Sequence, residues 1–254
     1  MTDPATYILD LDGVVYLGKN IIPRADEAID RLRDAGHRVI FLTNNSTRSR
    51  ESVANKLKSM GIMCAGSDVI TSAYAASVYI KEQYGPSTVY CIGEPGLIEE
   101  LEQEGHTISQ QNVDLVVVGL DKEFTYHKLE LGLDNLRAGA GFIATNTDAL
   151  LPTESGFLPG AGSMVAALKA ASGKDPIVIG KPNKPIIDVL LNEYGLKNGE
   201  CVMIGDRLET DILAGINAGM RTVLVLTGSS GIEDIEISGI RPDTILDSIV
   251  DLGP

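Results

Sequence analysis

Short apolar runs alternate with amphipathic stretches along most of the chain. The apolar runs have the character of buried strands, and the amphipathic stretches carry apolar residues at helical spacing. Such alternation predicts a parallel sheet with helices on both faces. In the first part of the chain and near its end, the predicted elements are residues 7–11, 25–35, 38–42, 51–60 and 221–226.

Two aspartates stand at the end of the first predicted strand. Residues i and i+2 of an extended chain point to the same side, so Asp10 and Asp12 can face one small volume where the strand gives way to a loop. Two carboxylates so placed repel each other, and a metal ion or a proton offsets that repulsion. A solvated aspartate pair at a strand end gives the same local pattern. The pair therefore indicates a functional site only if other segments supply matching groups.

Three later predicted strands also end in polar groups. A hydroxyl and two amides come after one strand just before a helix start, which is typical of an anion-binding site. An ammonium comes after the second strand, and two carboxylates come after the third. Ligands of parallel sheets bind beyond the carboxyl ends of the strands, so these groups predict one shared site. The residues concerned are Thr43, Asn44, Asn45, Lys181, Asp206 and Asp211.

The order of these segments resembles the four motifs of the haloacid dehalogenase-like phosphatase superfamily. The motifs read D-L-D-G, T-N-N-S, G-K-P and G-D-R-L-E-T-D in chain order. Further segments, which begin at Gly119, Phe142 and Leu158, are similar to the NagD or p-nitrophenyl phosphatase branch. The resemblance covers the chain from Tyr7 to about Gly228. It implies an α/β fold with a doubly wound parallel-sheet core and a smaller inserted cap domain.

A long interval separates the second and third motifs. It is bounded by Asn45 and Lys181 and holds its own predicted strands and helices. A chain of 254 residues also fits a core domain plus a smaller one. We therefore predict an inserted α/β cap domain at residues 78–177 and a catalytic core formed by residues 1–77 and 178–254. The elements predicted within the insertion are residues 88–92, 96–105, 115–119, 126–137, 142–144 and 163–171.

The resemblance implies that Asp10 is the nucleophile of a phosphatase. Its carboxylate is ionised at pH 7 without assistance, and its attack on phosphorus would form an aspartyl-phosphate. Both reactants are anions, so a cation has to offset their repulsion, and Mg²⁺ suits a site made only of oxygen ligands. The family pattern implies that Mg²⁺ binds the carboxylates of Asp10 and Asp206 and the backbone carbonyl of Asp12, while Asp211 acts through a water or through the other ligands.

The remaining motif residues have implied roles in phosphoryl transfer. Asp12 would protonate the leaving alkoxide and later deprotonate the attacking water. Lys181 would stabilise charge on the nucleophile and on the transferring phosphoryl group, and Thr43, Asn44 and Asn45 would bind the phosphate oxygens. Within the superfamily, transport ATPases carry Thr at the position of Asp12 and dehalogenases lack this acid, so its presence favours a phosphatase.

Two polar residues of the predicted cap are candidates for substrate specificity. Asn146 and Asp148 come after the predicted strand 142–144 and could reach toward the substrate. Ordinary turn chemistry of Asn and Asp explains the same pattern equally well. The physiological substrate is left open among nucleoside monophosphates, glycerol phosphate, phosphoglycolate and sugar phosphates, with p-nitrophenyl phosphate as the practical test compound.

Composition argues against several other classes of protein. The net charge of −14 disfavours a nucleic-acid partner, because affinity for a polyanion comes largely from clustered Lys and Arg. No apolar stretch approaches the roughly 18 residues of a membrane span, and the N-terminal residues lack the pattern of a signal peptide, which predicts a cytoplasmic protein. The three cysteines have no metal-type spacing. The expected partner is a small phosphorylated metabolite, and a homodimer is left open.

Two other functions fit parts of the pattern. A non-enzymatic phosphoacceptor of the response-regulator type also places an acidic pair, a Thr and a Lys around Mg²⁺, but it is a single smaller domain that leaves the insertion unexplained. A sugar- or nucleotide-binding protein with vestigial catalytic residues is the other alternative, although no expected catalytic position is substituted here. Turnover of a phosphate ester with and without Mg²⁺ separates the three.

Overall fold

The structure is a computed structural model that describes residues 6–153 and 156–253. In chain order the strands are Thr6–Leu9 (β1), Tyr16–Leu17 (β2), Asn20–Ile21 (β3), Arg38–Thr43 (β4), Val69–Thr71 (β5), Thr88–Ile92 (β6), Thr107–Ile108 (β7), Leu115–Val118 (β8), Gly141–Ala144 (β9), Leu150–Thr153 (β10), Gly156–Pro159 (β11), Ile177–Val178 (β12), Cys201–Gly205 (β13), Arg221–Val225 (β14) and Thr244–Leu246 (β15). The helices are Ala25–Asp34 (α1), Arg50–Ser59 (α2), Ser72–Tyr84 (α3), Pro95–Gln103 (α4), Tyr126–Arg137 (α5), Ala161–Ser172 (α6), Lys184–Tyr194 (α7), Leu213–Ala218 (α8) and Ile232–Ser238 (α9).

The chain forms two compact units. The first consists of Met1–Thr43, Val53–Ile70 and Lys181–Pro254, and the second of Asn44–Ser52 and Thr71–Gly180. The second unit contains residues 44–52, 71–77 and 178–180 in addition to the insertion predicted at residues 78–177.

The first unit is built on a six-stranded sheet with the order β15-β14-β13-β1-β4-β5. β1 lies between β13 and β4 and pairs with both in parallel, so that Leu9 is in register with Ile204 and Phe41. The residues of β1 and β13 are all buried, as expected for central parallel strands covered on both faces. The carboxyl ends of β1, β4 and β13 therefore meet at one edge of the sheet.

The second unit has its own five-stranded sheet with the order β12-β9-β8-β6-β7. Its pairs are parallel, and central β8 is buried throughout its length. Apolar residues of α5 and α6 pack on this sheet, among them Leu136, Val165 and Leu168. A separate antiparallel hairpin consists of β10 and β11. The predicted α/β architecture with parallel sheets is confirmed.

The ends of the elements depend on local sequence. α3 begins after Thr71, whose hydroxyl accepts a hydrogen bond from the N–H of Tyr74. α7 has a proline in its first turn, and Gly195, the residue directly after the helix, adopts a left-handed conformation with φ 63°. Within the described ranges, no helix combines the length and the apolar character that a bilayer-spanning segment needs.

Candidate active site

Three buried aspartates meet at the carboxyl ends of β1 and β13. Asp10 comes directly after β1, and its N–H donates to the carbonyl of Ile204 in β13 at 2.9 Å. Carboxylate oxygens of Asp10, Asp206 and Asp211 all lie within 4.8 Å of one another. The three residues are 8%, 2% and 1% exposed. Such crowding of buried carboxylates requires protons or cations to offset the repulsion.

Lys181 supplies one cation to this cluster. Its Nζ donates to Asp10 Oδ1 at 2.6 Å and to the carbonyl of Leu42 at 3.0 Å, and it lies 2.7 Å from Asp211 Oδ1. An ammonium has three donors, and each of these three contacts suits one of them. Burial alone would lower the pKa of Lys181, but the carboxylates of Asp10 and Asp211 raise it above its ordinary value. Lys181 is therefore charged at neutral pH.

One ammonium does not balance three carboxylates. Burial raises the pKa of Asp10 well above its ordinary value, and the neighbouring Asp211 and Asp206 add to the rise while Lys181 opposes it. Burial and Asp211 likewise raise the pKa of Asp206 to about 6, against the opposing effects of Ser229 and Lys181. Both shifts result mainly from burial and secondarily from the crowding of carboxylates, so a further cation in the cluster would favour its ionised form.

The donor set of the cluster fits a hard divalent cation. Asp206 Oδ1 is buried and has no hydrogen-bond partner among the residues that the structure describes. A buried carboxylate oxygen without a donor can serve as a metal ligand, and a site of oxygen atoms suits Mg²⁺ or Ca²⁺ rather than softer metals. In contrast, Asp211 Oδ2 accepts from the N–H of Arg207 at 3.0 Å while its Oδ1 contacts Lys181. Asp211 is thus already occupied on both oxygens.

The loop after β14 positions Asp206, and the sequence motifs do not include it. The N–H of Ser229 donates to Asp206 Oδ2 at 2.7 Å, and the N–H of Ser230 donates to the Asp206 carbonyl at 3.0 Å. A Cβ on Gly228 or on Gly13 would collide with the Asp206 side chain, so both positions need glycine. The sequence does contain a feature that could have indicated this loop. The small residues Gly228 to Gly231 follow an apolar strand, as the other motifs do.

Among the residues that the structure describes, the carboxylate cluster consists of Asp10, Asp206 and Asp211, and Asp12 is not a member of it. The residue is exposed to solvent. Burial on its protein side raises the pKa of its carboxyl above the ordinary value, while Lys56, a hydrogen bond with Tyr16 and Lys181 oppose the rise. Lys56 Nζ also lies 3.3 Å from the centre of the Tyr16 ring. The surroundings of Asp12 therefore suit a carboxyl that takes up and releases a proton.

The predicted phosphate-binding residues are consecutive at the end of β4. Thr43 is the last residue of that strand and is buried. Asn44 and Asn45 belong to the second compact unit. Asn45 Oδ1 accepts from the N–H of Thr47 at 2.7 Å and from its hydroxyl at 2.8 Å, which fixes the start of the turn after β4.

The two predicted specificity residues contact Asn44. Asn146 Nδ2 donates to the Asn44 carbonyl at 2.8 Å, and Asn44 Nδ2 donates to Asp148 Oδ2 at 3.1 Å. All three residues lie in the second unit. The structure thus brings together two groups of predicted residues. One consists of Asp10, Lys181, Asp206 and Asp211, and the other of Asn44, Asn146 and Asp148.

Comparisons with known proteins give a consistent result. Residues 7–107 match the family model described as haloacid dehalogenase-like hydrolase, and residues 178–252 match a second model described as HAD-hydrolase-like. The chain is similar to the 5'-nucleotidase YutF of Bacillus subtilis, with 40% identity over 98% of this chain and 97% of that protein. It is also 41% identical to an acid sugar phosphatase of Staphylococcus aureus over 93% of this chain and 92% of the relative.

A solved structure extends the similarity to three dimensions. The p-nitrophenyl phosphatase from Archaeoglobus fulgidus has a TM-score of 0.94 and 34% sequence identity, and the match covers 98% of both chains. The resemblance inferred from the sequence motifs is confirmed by these matches.

Proposed function

The chain belongs to the haloacid dehalogenase-like hydrolase family and is a phosphatase, and we propose that it hydrolyses small phosphate monoesters through an aspartyl-phosphate on Asp10. One observation carries the mechanism: the Asp10 carboxylate lies at the end of β1 in direct contact with buried Lys181 and beside Asp206 and Asp211. A nucleophile, its stabilising cation and the acids for a metal ion are thus in one place.

Asp10 attacks phosphorus, and the bond between phosphorus and the ester oxygen breaks. The leaving alkoxide takes a proton from Asp12, whose raised pKa favours the protonated form needed for this step. Water then attacks the aspartyl-phosphate, Asp12 accepts a proton from it, and the bond between phosphorus and Asp10 breaks. The products are the alcohol and inorganic phosphate, and Asp10 is regenerated.

Lys181 and the residues after β4 stabilise the charge of the phosphoryl group. Two unit charges at 4 Å repel by about 4 kcal/mol at an effective dielectric constant of 20, so the approach of Asp10 to a phosphate needs compensation. Lys181 is held within reach of the nucleophile by Asp211 and the Leu42 carbonyl. Thr43, Asn44 and Asn45 are assigned to the remaining phosphate oxygens, since a hydroxyl and N–H groups at this strand end are suitable donors.

Mg²⁺ is the proposed metal ion. Asp10 and Asp206 would hold it through their carboxylates and Asp12 through its backbone carbonyl, and Asp206 Oδ1 has the open lone pairs for this role. When bound, the ion supplies positive charge between two anions. Asp211 is assigned to holding Lys181 and the turn at Arg207, in agreement with its contacts.

The substrate class is proposed from the relatives. They are named for a nucleotide, for a sugar phosphate and for p-nitrophenyl phosphate. We therefore propose a small phosphorylated metabolite of the nucleotide or sugar phosphate type. Asn146 and Asp148 stay candidates for the choice among these esters.

Trapping of the covalent intermediate tests the mechanism. Acid quenching during turnover of a radiolabelled phosphate ester should leave label on the peptide that contains Asp10. Asp10→Asn should retain neither label nor more than a few per cent of kcat, because the amide keeps the shape but not the nucleophile. Asp188→Asn is the matched control, since Asp188 pairs with Lys184 on the surface and should keep full activity. Normal turnover by Asp10→Asn, after deamidation is excluded, would contradict the mechanism.

A further inference from the structure

Two buried side chains hold the backbone carbonyl of Asn44. Ser72 Oγ donates to this oxygen at 2.7 Å and Asn146 Nδ2 donates to it at 2.8 Å. Ser72 is fully buried and Asn146 is 5% exposed. A carbonyl oxygen has two lone pairs, so the two donors together define the direction in which this carbonyl points.

The direction of this carbonyl determines the direction of the next N–H group. The peptide unit between Asn44 and Asn45 is planar and trans, so its C=O and its N–H point to opposite sides. Ser72 and Asn146 bind one side of the unit. They therefore orient the N–H of Asn45 toward the other side.

The side chain of Asn44 is held by the same part of the second unit. Its Nδ2 donates to Asp148 Oδ2 at 3.1 Å, and the N–H of Asp148 in turn donates to Asn146 Oδ1 at 3.1 Å. A Cβ on Gly180 would lie 2.6 Å from Asn44 Oδ1, so only glycine leaves room for the amide at that position. Asn146 and Asp148 are thus hydrogen-bonded to each other, and both are hydrogen-bonded to Asn44.

We propose that Asn146 and Asp148 are positioning residues that orient the phosphate-binding segment Asn44–Asn45 and so set the affinity for the phosphoryl group. The inference rests on the proposed function, in which this segment binds the transferred phosphoryl group. It differs from the specificity role expected from the sequence. A positioning residue affects every phosphate ester in the same way, whereas a specificity residue affects esters according to their leaving groups.

Inorganic phosphate is the probe that separates the two roles, because it is the product and has no leaving group. In Asn146→Ala and Asp148→Ala, the inhibition constant for phosphate should rise roughly tenfold, as expected for loss of a buried or charge-assisted hydrogen bond. The kcat/KM values for p-nitrophenyl phosphate, a nucleoside monophosphate and a sugar phosphate should fall by one common factor. Ser163→Ala is the matched control, since Ser163 donates to the neighbouring Ala149 carbonyl and should leave all values unchanged.

Two further variants test whether the effect passes through Asn44. In the Asn44→Ala background, adding Asp148→Ala should cause no additional loss, because the group that Asp148 holds is already absent. Asp148→Asn keeps an acceptor oxygen and should recover most of the wild-type affinity for phosphate. Ser72→Ala, which removes the second donor to the Asn44 carbonyl, should resemble Asn146→Ala. Thermal denaturation of each variant shows whether it is folded.

The outcomes distinguish this inference from the proposed function. Losses that differ among esters while phosphate inhibition is unchanged, or additive losses in the double variant, overturn the positioning role. If wild-type protein hydrolyses no ester but binds phosphate in a calorimetric titration, the proposed function fails and the same titration of Asn146→Ala decides the positioning role. If wild-type protein binds no phosphate, both fail.

Discussion

At the scale of single residues, the site is dominated by buried charge. Asp206 shows the effect clearly, because one of its oxygens accepts a hydrogen bond from Ser229 and the other has no partner among the described residues. Burial, together with the smaller effect of the nearby Asp211, raises the pKa of Asp206 to about 6. The folded protein without metal therefore keeps a proton on this residue up to a higher pH than the unfolded chain does.

This shift predicts a pH dependence of stability in the absence of metal. A carboxyl with a higher pKa in the folded than in the unfolded chain stabilises the fold while it is protonated, and that contribution is lost as the pH rises through the folded value. The free energy of unfolding should therefore fall between about pH 4 and about pH 6. The difference between about 6 and the ordinary 3.8 corresponds to roughly 3 kcal/mol at ~1.36 kcal/mol per pH unit.

Chemical denaturation across this pH range in EDTA measures the effect. Asp206→Asn should make the fall between about pH 4 and about pH 6 smaller, with Asp10 accounting for the rest, and should be more stable than wild type at pH 7. Asp188→Asn on the surface should leave the profile unchanged. An Asp206→Asn protein with the wild-type profile would show that other groups cause the pH dependence.

At the scale of elements, the site is built from the loops at the carboxyl ends of the strands. β1 and β13 contribute the acids, and the loop after β14 fixes Asp206 through Ser229 and Ser230. Gly228 allows this loop to approach Asp206 closely, since a Cβ there would meet the aspartate side chain. The loop thus supports the proposed metal site, although none of its side chains is a proposed ligand.

Gly228→Ala should displace Asp206 and weaken metal binding. Forcing a methyl group into a packed site typically costs about 1–3 kcal/mol, so the Mg²⁺ concentration for half-maximal activity should rise roughly tenfold or more. A Mg²⁺ titration of phosphatase activity measures it. Gly199→Ala serves as the control, because nothing lies within 4 Å of a Cβ at that position. If the two variants required the same Mg²⁺ concentration, the loop would have no role in metal binding.

At the scale of the whole molecule, metal binding should couple activity to stability. EDTA should abolish turnover and Mg²⁺ should restore it, while Ca²⁺ should restore less because it accepts more ligands and looser geometry. A ligand at 100 times its Kd stabilises the folded state by about 2.7 kcal/mol, so Mg²⁺ should also raise the Tm of wild type. Asp206→Asn should show little increase in Tm. Full activity of a metal-free preparation would refute the metal site.

Local sequence was sufficient to predict the main parallel strands, their polar ends and the family of the protein, but not the short strands β2, β3, β5, β7, β10, β11 and β15. Strand boundaries depend on local apolar patterning, so Asp10 and Asp206 could be placed at strand ends, and their position in a parallel sheet could be inferred from the alternation of strands and helices. The predicted helix 126–137 coincides with α5. The strand predicted at residues 38–42 begins at the same residue as β4 and is one residue shorter, because β4 extends to Thr43.

Contacts between distant groups became visible only in the tertiary structure. Lys181 and Asp10 are 171 residues apart and form a buried ion pair, and Asn146 binds the carbonyl of Asn44 from 102 residues away. The sequence shows Asn146 and Asp148 only as polar residues after a strand, which is a pattern shared by turns and by ligand sites. Contacts of this kind depend on how the chain folds back on itself, and local periodicity carries no information about that path.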